Sequence, residues 1–263
     1  MINPMQMAII KKDFRSVVFN KRLFPVLIIV PLIFTIFLPT LLIMVIHFAP
    51  DDLGDFQALI DMMPIAEQSD TLSQTVITLI LNSIMPMFFT IIPIMAASVM
   101  AASSFIGEKE KRTLETLLYC PLTLRQIFQS KVWASFLLSM TVSLVSFLLM
   151  LIVVEAELLL TTGSLLVPGV SWLITILVVS PAVSLLAITL IVGGSAKSQT
   201  VEESQQRTVF LILPLLLLIV GQFTGIILVN AWYLLAIGAV FGILAYFSMK
   251  KSMRKFTYEE LLR

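Results

Sequence analysis

The sequence predicts an all-α polytopic membrane protein: six transmembrane helices, an N-terminal interfacial amphipathic helix, and both termini in the cytoplasm. Three observations predict it. Of 263 residues, 59% are hydrophobic and only 13% charged, with a mean hydropathy of +1.03. A soluble domain is about 25% charged, so half that density cannot cover a globule, and the apolar excess equally excludes disorder. The charges also fall in short stretches between apolar runs of roughly 20 residues or more, enough to span about 30 Å of hydrocarbon. Finally, a six-span arrangement puts all 17 Lys and Arg on one side of the membrane.

The six runs are Leu23–Phe48, Thr75–Ile106, Val132–Val154, Val170–Gly193, Val209–Val229 and Ala231–Met249. None contains Lys, Arg, Asp or Glu. No small-residue cleavage site follows the first run, so it is expected to remain as a span. An even count places both termini on the side holding every basic residue. The opposite side holds Asp51, Asp52, Asp55, Asp61, Glu67, Asp70, Glu155 and Glu157 and no base. The positive-inside rule makes the basic side cytoplasmic. The fifth and sixth runs are short, and Gly221, Gln222, Thr224, Gly225 and Asn230 near their outer turn fit either two short spans or a re-entrant element. One membrane domain, 1–263, is expected: interfacial helix 1–22, six spans 23–249 and a cytoplasmic tail 250–263.

Residues 3–19 read as the interfacial helix. Asn3 suits the cap and Pro4 the first helical position. Met7, Ile10, Phe14 and Val17 recur at spacings of three and four, with Lys11, Lys12 and Arg15 supplying headgroup-facing charge. The second run is over-long, 32 residues or about 48 Å of helix. Its inner half is rich in small residues, from Ala96 to Ser104. Pairs such as Ala97/Ala101 permit close helix contact, within the chain or between two chains. Pro31, Pro39, Pro86, Pro93, Pro181 and Pro214 lie inside spans, where each removes a helical hydrogen bond.

The most informative stretch is Gly107-Glu-Lys-Glu-Lys-Arg-Thr-Leu-Glu-Thr-Leu-Leu-Tyr-Cys-Pro121. Leu114, Leu117 and Leu118 form one apolar stripe of a short helix whose other faces carry Arg112, Glu115 and Thr116. Pro121 stops it. Thr123 with Gln126 is a capping-box start for the helix that runs through Lys131 into the third span. A two-turn amphipathic helix is not stable alone in water, so it rests on the bilayer, on its own chain, or in a partner's groove.

Here the chain resembles the permease subunits of ABC-2 type transporters (type V ABC exporters). In that family an amphipathic N-terminal helix precedes a Pro-containing first span. A segment close to E-(K/R)-E-x-G-T-L-E-x-L-L-x-x-P follows the second span, then a polar helix ending in Lys. This chain has Glu108 to Pro121 in that pattern, then Ile127 and Lys131, with Arg112 where the family often has Gly. The resemblance implies half of an exporter core that pairs with a second permease copy or paralogue and docks a separate ABC ATP-binding subunit. Residues 108–119 would be the coupling helix between spans two and three. Glu108, Glu110, Arg112 and Glu115 would be its polar contacts, and Leu114, Leu117 and Leu118 its apolar ones.

Absent chemistry points the same way. No G-x-x-x-x-G-K-[ST] loop is present to cradle nucleotide phosphates; Gly193-Gly-Ser-Ala-Lys-Ser198 has Ala before its lysine and reads as a span-ending loop. No ionisable residue lies at membrane depth, where an ion-coupled carrier needs one. No catalytic or metal-ligating residue is expected: one His and one Cys exclude His-pair and Cys-cluster sites. Asp51, Asp52 and Asp55 read as a solvated acidic loop. ATP and Mg are expected on the partner subunit, and no nucleic-acid partner is implied. Ser139, Ser143 and Ser146 share one face of the third span, suited to interhelical hydrogen bonds. Phe56, Leu59, Ile60 and Met63 suggest a short outer helix. The expected function is outward, ATP-driven movement of an amphiphilic cargo (peptide antibiotic, drug, lipid or lipid-linked glycan). A channel or a scaffold subunit of a larger assembly is the alternative.

Overall fold

The computed structural model describes residues 3–21, 23–48, 57–61, 71–110, 113, 121–163, 165, 167–194, 200–206, 208–224, 226 and 228–255; the side chains at 58, 109, 254 and 255 lie outside that set. Every regular element among these residues is helical. In order they are α1 (Pro4–Val18), α2 (Leu23–Phe48), α3 (Gln57–Ile60), α4 (Leu72–Phe105) and α5 (Gly107–Glu110). There follow α6 (Leu124–Thr161), α7 (Val170–Gly194), α8 (Val201–Gln206), α9 (Val209–Phe223) and α10 (Ala231–Lys255). Six are long and apolar enough to cross a membrane: α2, α4, α6, α7, α8 with α9, and α10. The chain is a multi-pass membrane protein of the expected class.

Helix α4 is the axis of the bundle. Along its most apolar stretch it is 89% buried, against 28% for α2 and 17% for α10. Its small residues explain this. Ala97, Ala101 and Ala102 are fully buried in one cluster with Val183, Ala187 and Ile191 of α7, while Ala96 packs with Ala134 of α6. Lipid is as apolar as the side chains, so van der Waals fit at short interaxial distance holds such helices together. The small-residue stripe is therefore spent inside the chain. Ser139 of α6 adds a polar tie, donating to the Pro93 carbonyl of α4 at 2.8 Å and lying 2.8 Å from the Ser184 hydroxyl of α7. Ser143 bonds its own helix, at the Ser139 carbonyl.

Three spans contain a five-residue π-helical stretch: Ile33–Phe37 in α2, Ile80–Ile84 in α4 and Thr175–Val179 in α7. Each ends two residues before a proline, Pro39, Pro86 or Pro181. The proline ring clashes with the carbonyl four residues back and offers no N–H, and widening the preceding turn relieves the clash. In α4 the Met85 N–H bonds the Ile80 carbonyl instead of the Leu81 carbonyl. The next possible donor to Leu81 would be residue 86, which is proline. The orphaned Leu81 carbonyl is taken by the Trp172 indole N–H of α7 at 2.9 Å. One residue on, the Asn82 side chain accepts from the Gly169 N–H at 3.0 Å, and the Ser83 carbonyl accepts from Gln222 of α9 at 3.1 Å. The widened turn thus joins three spans.

Several boundaries differ from expectation. Helix α6 runs unbroken for 38 residues, about 57 Å, so Glu155 and Glu157 ride on helix rather than loop. Glu157 accepts from Thr40 of α2 at 2.5 Å. Helix α9 stops at Phe223 and α10 starts at Ala231, capped by Asn230, whose side chain accepts from the Trp232 and Tyr233 N–H groups. The described residues between them contain no helix. The expected outer helix is the single turn α3, with Leu59 and Ile60 buried against Ile43, Ile46 and Val76; Phe56, Met63 and the acids Asp51, Asp52 and Asp55 lie outside the described residues.

Candidate functional site: a buried charge cluster at the root of the 107–121 segment

Three elements converge where α4 leaves the bundle, each for a local reason. Helix α1 starts with Pro4 at its first position and with the Asn3 N–H on the Gln6 side chain at 2.9 Å. It lays Ile10 and Val17 into a cluster with Val99 and Met100 of α4 and Ala134 and Leu138 of α6. Asp13 lies between them on the same face, three residues after Ile10 and four before Val17, and is buried with them. Helix α6 starts in the expected capping box: the Gln126 N–H reaches Thr123 Oγ1 at 3.3 Å and the Thr123 N–H reaches Gln126 Oε1 at 3.0 Å. Two turns in, its inward face carries Lys131 between Ile127 and Ser135, all buried. The end of α4 contributes Ser104, and α5 contributes Glu108 from its first turn.

These residues form one ionic network. Lys131 is 2% exposed. Its ammonium lies 3.1 Å from Glu108 Oε2 and 3.9 Å from Asp13 Oδ2, and it donates to the Ser104 carbonyl. The Ser104 hydroxyl donates to Asp13 Oδ2 at 2.5 Å, and Lys12 reaches Glu108 Oε1 at 2.5 Å. Lys131 also stands 5.5 Å over the Phe105 ring, a favourable cation–π placement. Burial pushes the Asp13 carboxyl above its ordinary value of 3.8, and nearby Glu108 adds to the shift; Lys131, the Ser104 hydroxyl and Lys12 pull against it. A buried charge survives only if paired and hydrogen-bonded, and here each buried charge has its counter-charge on a different element. The cluster therefore locks α1, the start of the 107–121 segment, and α6 into one body.

Of the expected coupling residues, Glu108 is turned into this network and Glu110 is exposed; Arg112, Leu114, Glu115, Leu117 and Leu118 lie outside the described residues. The Thr113 N–H donates to the Glu108 carbonyl at 2.9 Å. Of the interfacial set, Ile10 and Val17 face the protein, Phe14 is half-buried and Met7 is 53% exposed. Sequence reasoning missed Asp13, although its position on the apolar stripe of α1 was a readable signal. It placed Lys131 as the end of a polar helix and missed that the side chain is interior.

Six helices long and apolar enough to cross a membrane, tied at one end by a buried charge cluster, define a multi-pass helical membrane domain. The family model described as ABC-2 family transporter protein matches residues 7–249, and the chain belongs to that family. It is thereby a membrane permease subunit of an ABC transporter, in a family whose ATPase resides in a partner ATP-binding subunit. No curated protein and no solved structure matches the chain.

Proposed function

We propose that this permease is one half of an ATP-driven exporter with both termini in the cytoplasm. ATP and Mg are held by the partner ATPase. A second copy or a paralogue completes the pathway, and the cargo is amphiphilic. The observation that carries the reading is the Glu108–Lys131–Asp13 cluster. It supports a mechanism in which a push on the 107–121 segment is delivered at once to α1 and α6, because separating buried opposite charges is costly. Glu110, Arg112, Leu114, Glu115, Leu117 and Leu118 then face the ATPase, while Glu108 transmits inward. Cargo of amphiphilic character fits six apolar runs that contain no Lys, Arg, Asp or Glu.

Two variants test it. Replacing Leu114 and Leu117 with Asp should release the ATPase in a pull-down while the permease stays in the membrane; retained ATPase refutes the docking assignment. Glu108→Gln should keep the ATPase bound yet lower ATP-dependent transport about tenfold or more. Unchanged transport refutes the transmission role. Flux through this chain in liposomes without any ATPase establishes the channel alternative instead.

A further inference from the structure

The widened turn of α4, at the end of the bundle away from the charge cluster, is held unevenly. Two of its three ties come from α7, where Trp172 is 2% exposed and stands against Phe89 and Phe147. The third comes from α9, which is attached more lightly. Helix α9 buries a single stripe, Leu211, Leu215, Ile219 and Gln222, whose last member alone is polar. Its other faces are open: Leu213, Leu217 and Val220 are exposed. Pro214 lies inside the helix and has no N–H for the Phe210 carbonyl, which makes it a place where a helix bends. Beyond Pro214, α9 meets α4 through the Gln222 hydrogen bond and an edge contact of Phe223 with Phe88, ring centres 6.1 Å apart.

Gln222 is fully buried yet half satisfied. Its Nε2 donates to the Ser83 carbonyl at 3.1 Å, while Oε1 has no donor among the described residues. Turning the amide over would set Oε1 against the Ser83 carbonyl, acceptor on acceptor, so the mismatch belongs to the contact. A buried acceptor left without a donor costs at least as much as one hydrogen bond gains. The closed contact therefore has little net free energy to hold it.

We propose that the far half of α9 is a gate poised near balance by Gln222. It swings about Pro214, parts from the widened turn of α4, and brings the stranded Oε1 into reach of water; the two α7 ties keep the turn in place. The opened cleft presents the Asn82 and Gln222 amides and the Ser83 carbonyl, hydrogen-bonding groups suited to the polar part of an amphiphile. That the cleft is an exit for cargo rests on the exporter reading; the gate itself needs no ATPase.

The test uses the purified full chain in lipid nanodiscs, without an ATPase, with Cys120→Ser so that introduced cysteines alone take spin labels. Thr224→Cys on α9 and Ile152→Cys on α6 report the far end of α9; Val209→Cys and Tyr246→Cys report its near end, all four positions being exposed. From Pro214 to Thr224 is about 15 Å of helix, so a change of about 20° in bend moves Thr224 by about 5 Å. Gln222→Glu faces the Ser83 carbonyl with a carboxylate and should shift the far pair by that amount while the near pair stays. Adding Pro214→Ala restores the missing N–H and should reverse much of the shift. Gln222→Met removes the stranded acceptor and continues the apolar stripe, so it should hold the closed distance and melt no lower than wild type, the reverse of what loss of an ordinary structural hydrogen bond produces. A far pair unmoved in Gln222→Glu, or both pairs moving alike, overturns the gate. A shift that persists with Pro214→Ala overturns the hinge. Gln222→Met that opens the far pair or melts lower overturns the poise, and this arm still decides should Gln222→Glu fail to fold. Gate movement in these measurements without ATP-dependent transport overturns the exporter reading and not the gate.

Discussion

Replacing Lys131 with Met removes the ammonium that, among the described residues, pairs with both buried acids. The methionine keeps most of the side chain's length and its contact with Phe105. The side chain is 2% exposed, Asp13 is 2% exposed and Glu108 6%, so neither carboxylate can recover solvation. Breaking one partner of a buried ion pair costs about 3–5 kcal/mol, because it strands an uncompensated charge. Lys12 cannot make up the loss: its side chain is 54% exposed, and pairs reaching that far into solvent contribute about 0–1 kcal/mol. Thermal unfolding of detergent-solubilised Lys131→Met should therefore fall on the order of 10 °C below wild type. The triple variant Lys131→Met, Asp13→Asn, Glu108→Gln carries no stranded charge and should recover most of that loss. If Lys131→Met unfolds within a degree or two of wild type, the cluster is not a lock and the transmission argument fails with it.

Asp13 has a pH signature of defined sign. Its native pKa is raised above 3.8, so the folded chain holds this proton more tightly than the unfolded one. Its contribution to stability is greatest in acid and declines as pH rises from 3.8 through the native value. Asp13→Asn cannot ionise and keeps an acceptor for Ser104, so melting temperatures measured across that window should lose part of their slope; parallel curves contradict the assignment. Trp172→Phe keeps an aromatic ring against Phe89 and Phe147 but leaves the Leu81 carbonyl without its donor. It should cost about 1–3 kcal/mol in chemical denaturation; a neutral result means the carbonyl finds another partner. Gly238 lets α10 press on the widened turn of α7: a Cβ there would lie 2.9 Å from Val178 Cγ1 and 3.3 Å from Val179 Cγ2. Gly238→Ala should destabilise by about 1–3 kcal/mol, whereas Gly242→Ala, whose nearest neighbour is Ala182 Cβ at 3.9 Å, should not.

How much was legible depended on the range of the interaction. The caps of α1 and α6 are set by residues within three positions of each other, and the structure has both. Each π-helical turn lies two residues before a proline, but Pro31, Pro93 and Pro214 have no such turn before them, so the prolines alone do not say where a span widens. The outer extension of α6 was hidden because Glu155 and Glu157 end the apolar run without ending the helix. Glutamate is a good helix former, so hydropathy and helicity part company there.

What the sequence alone determined is the number of spans and the family. Hydropathy and charge act on each segment through the bilayer, whatever its neighbours are. What only the tertiary structure decided is which segments meet. Asp13, Ser104, Glu108 and Lys131 are up to 118 positions apart, and nothing along the chain requires them to converge until α1 and α6 pack on the small-residue face of α4. The same packing assigned Ala97 and Ala101 to a neighbour within the chain and brought Trp172 to the Leu81 carbonyl. A buried charge or an orphaned carbonyl must find a partner, but which one it finds is settled by close packing of helices.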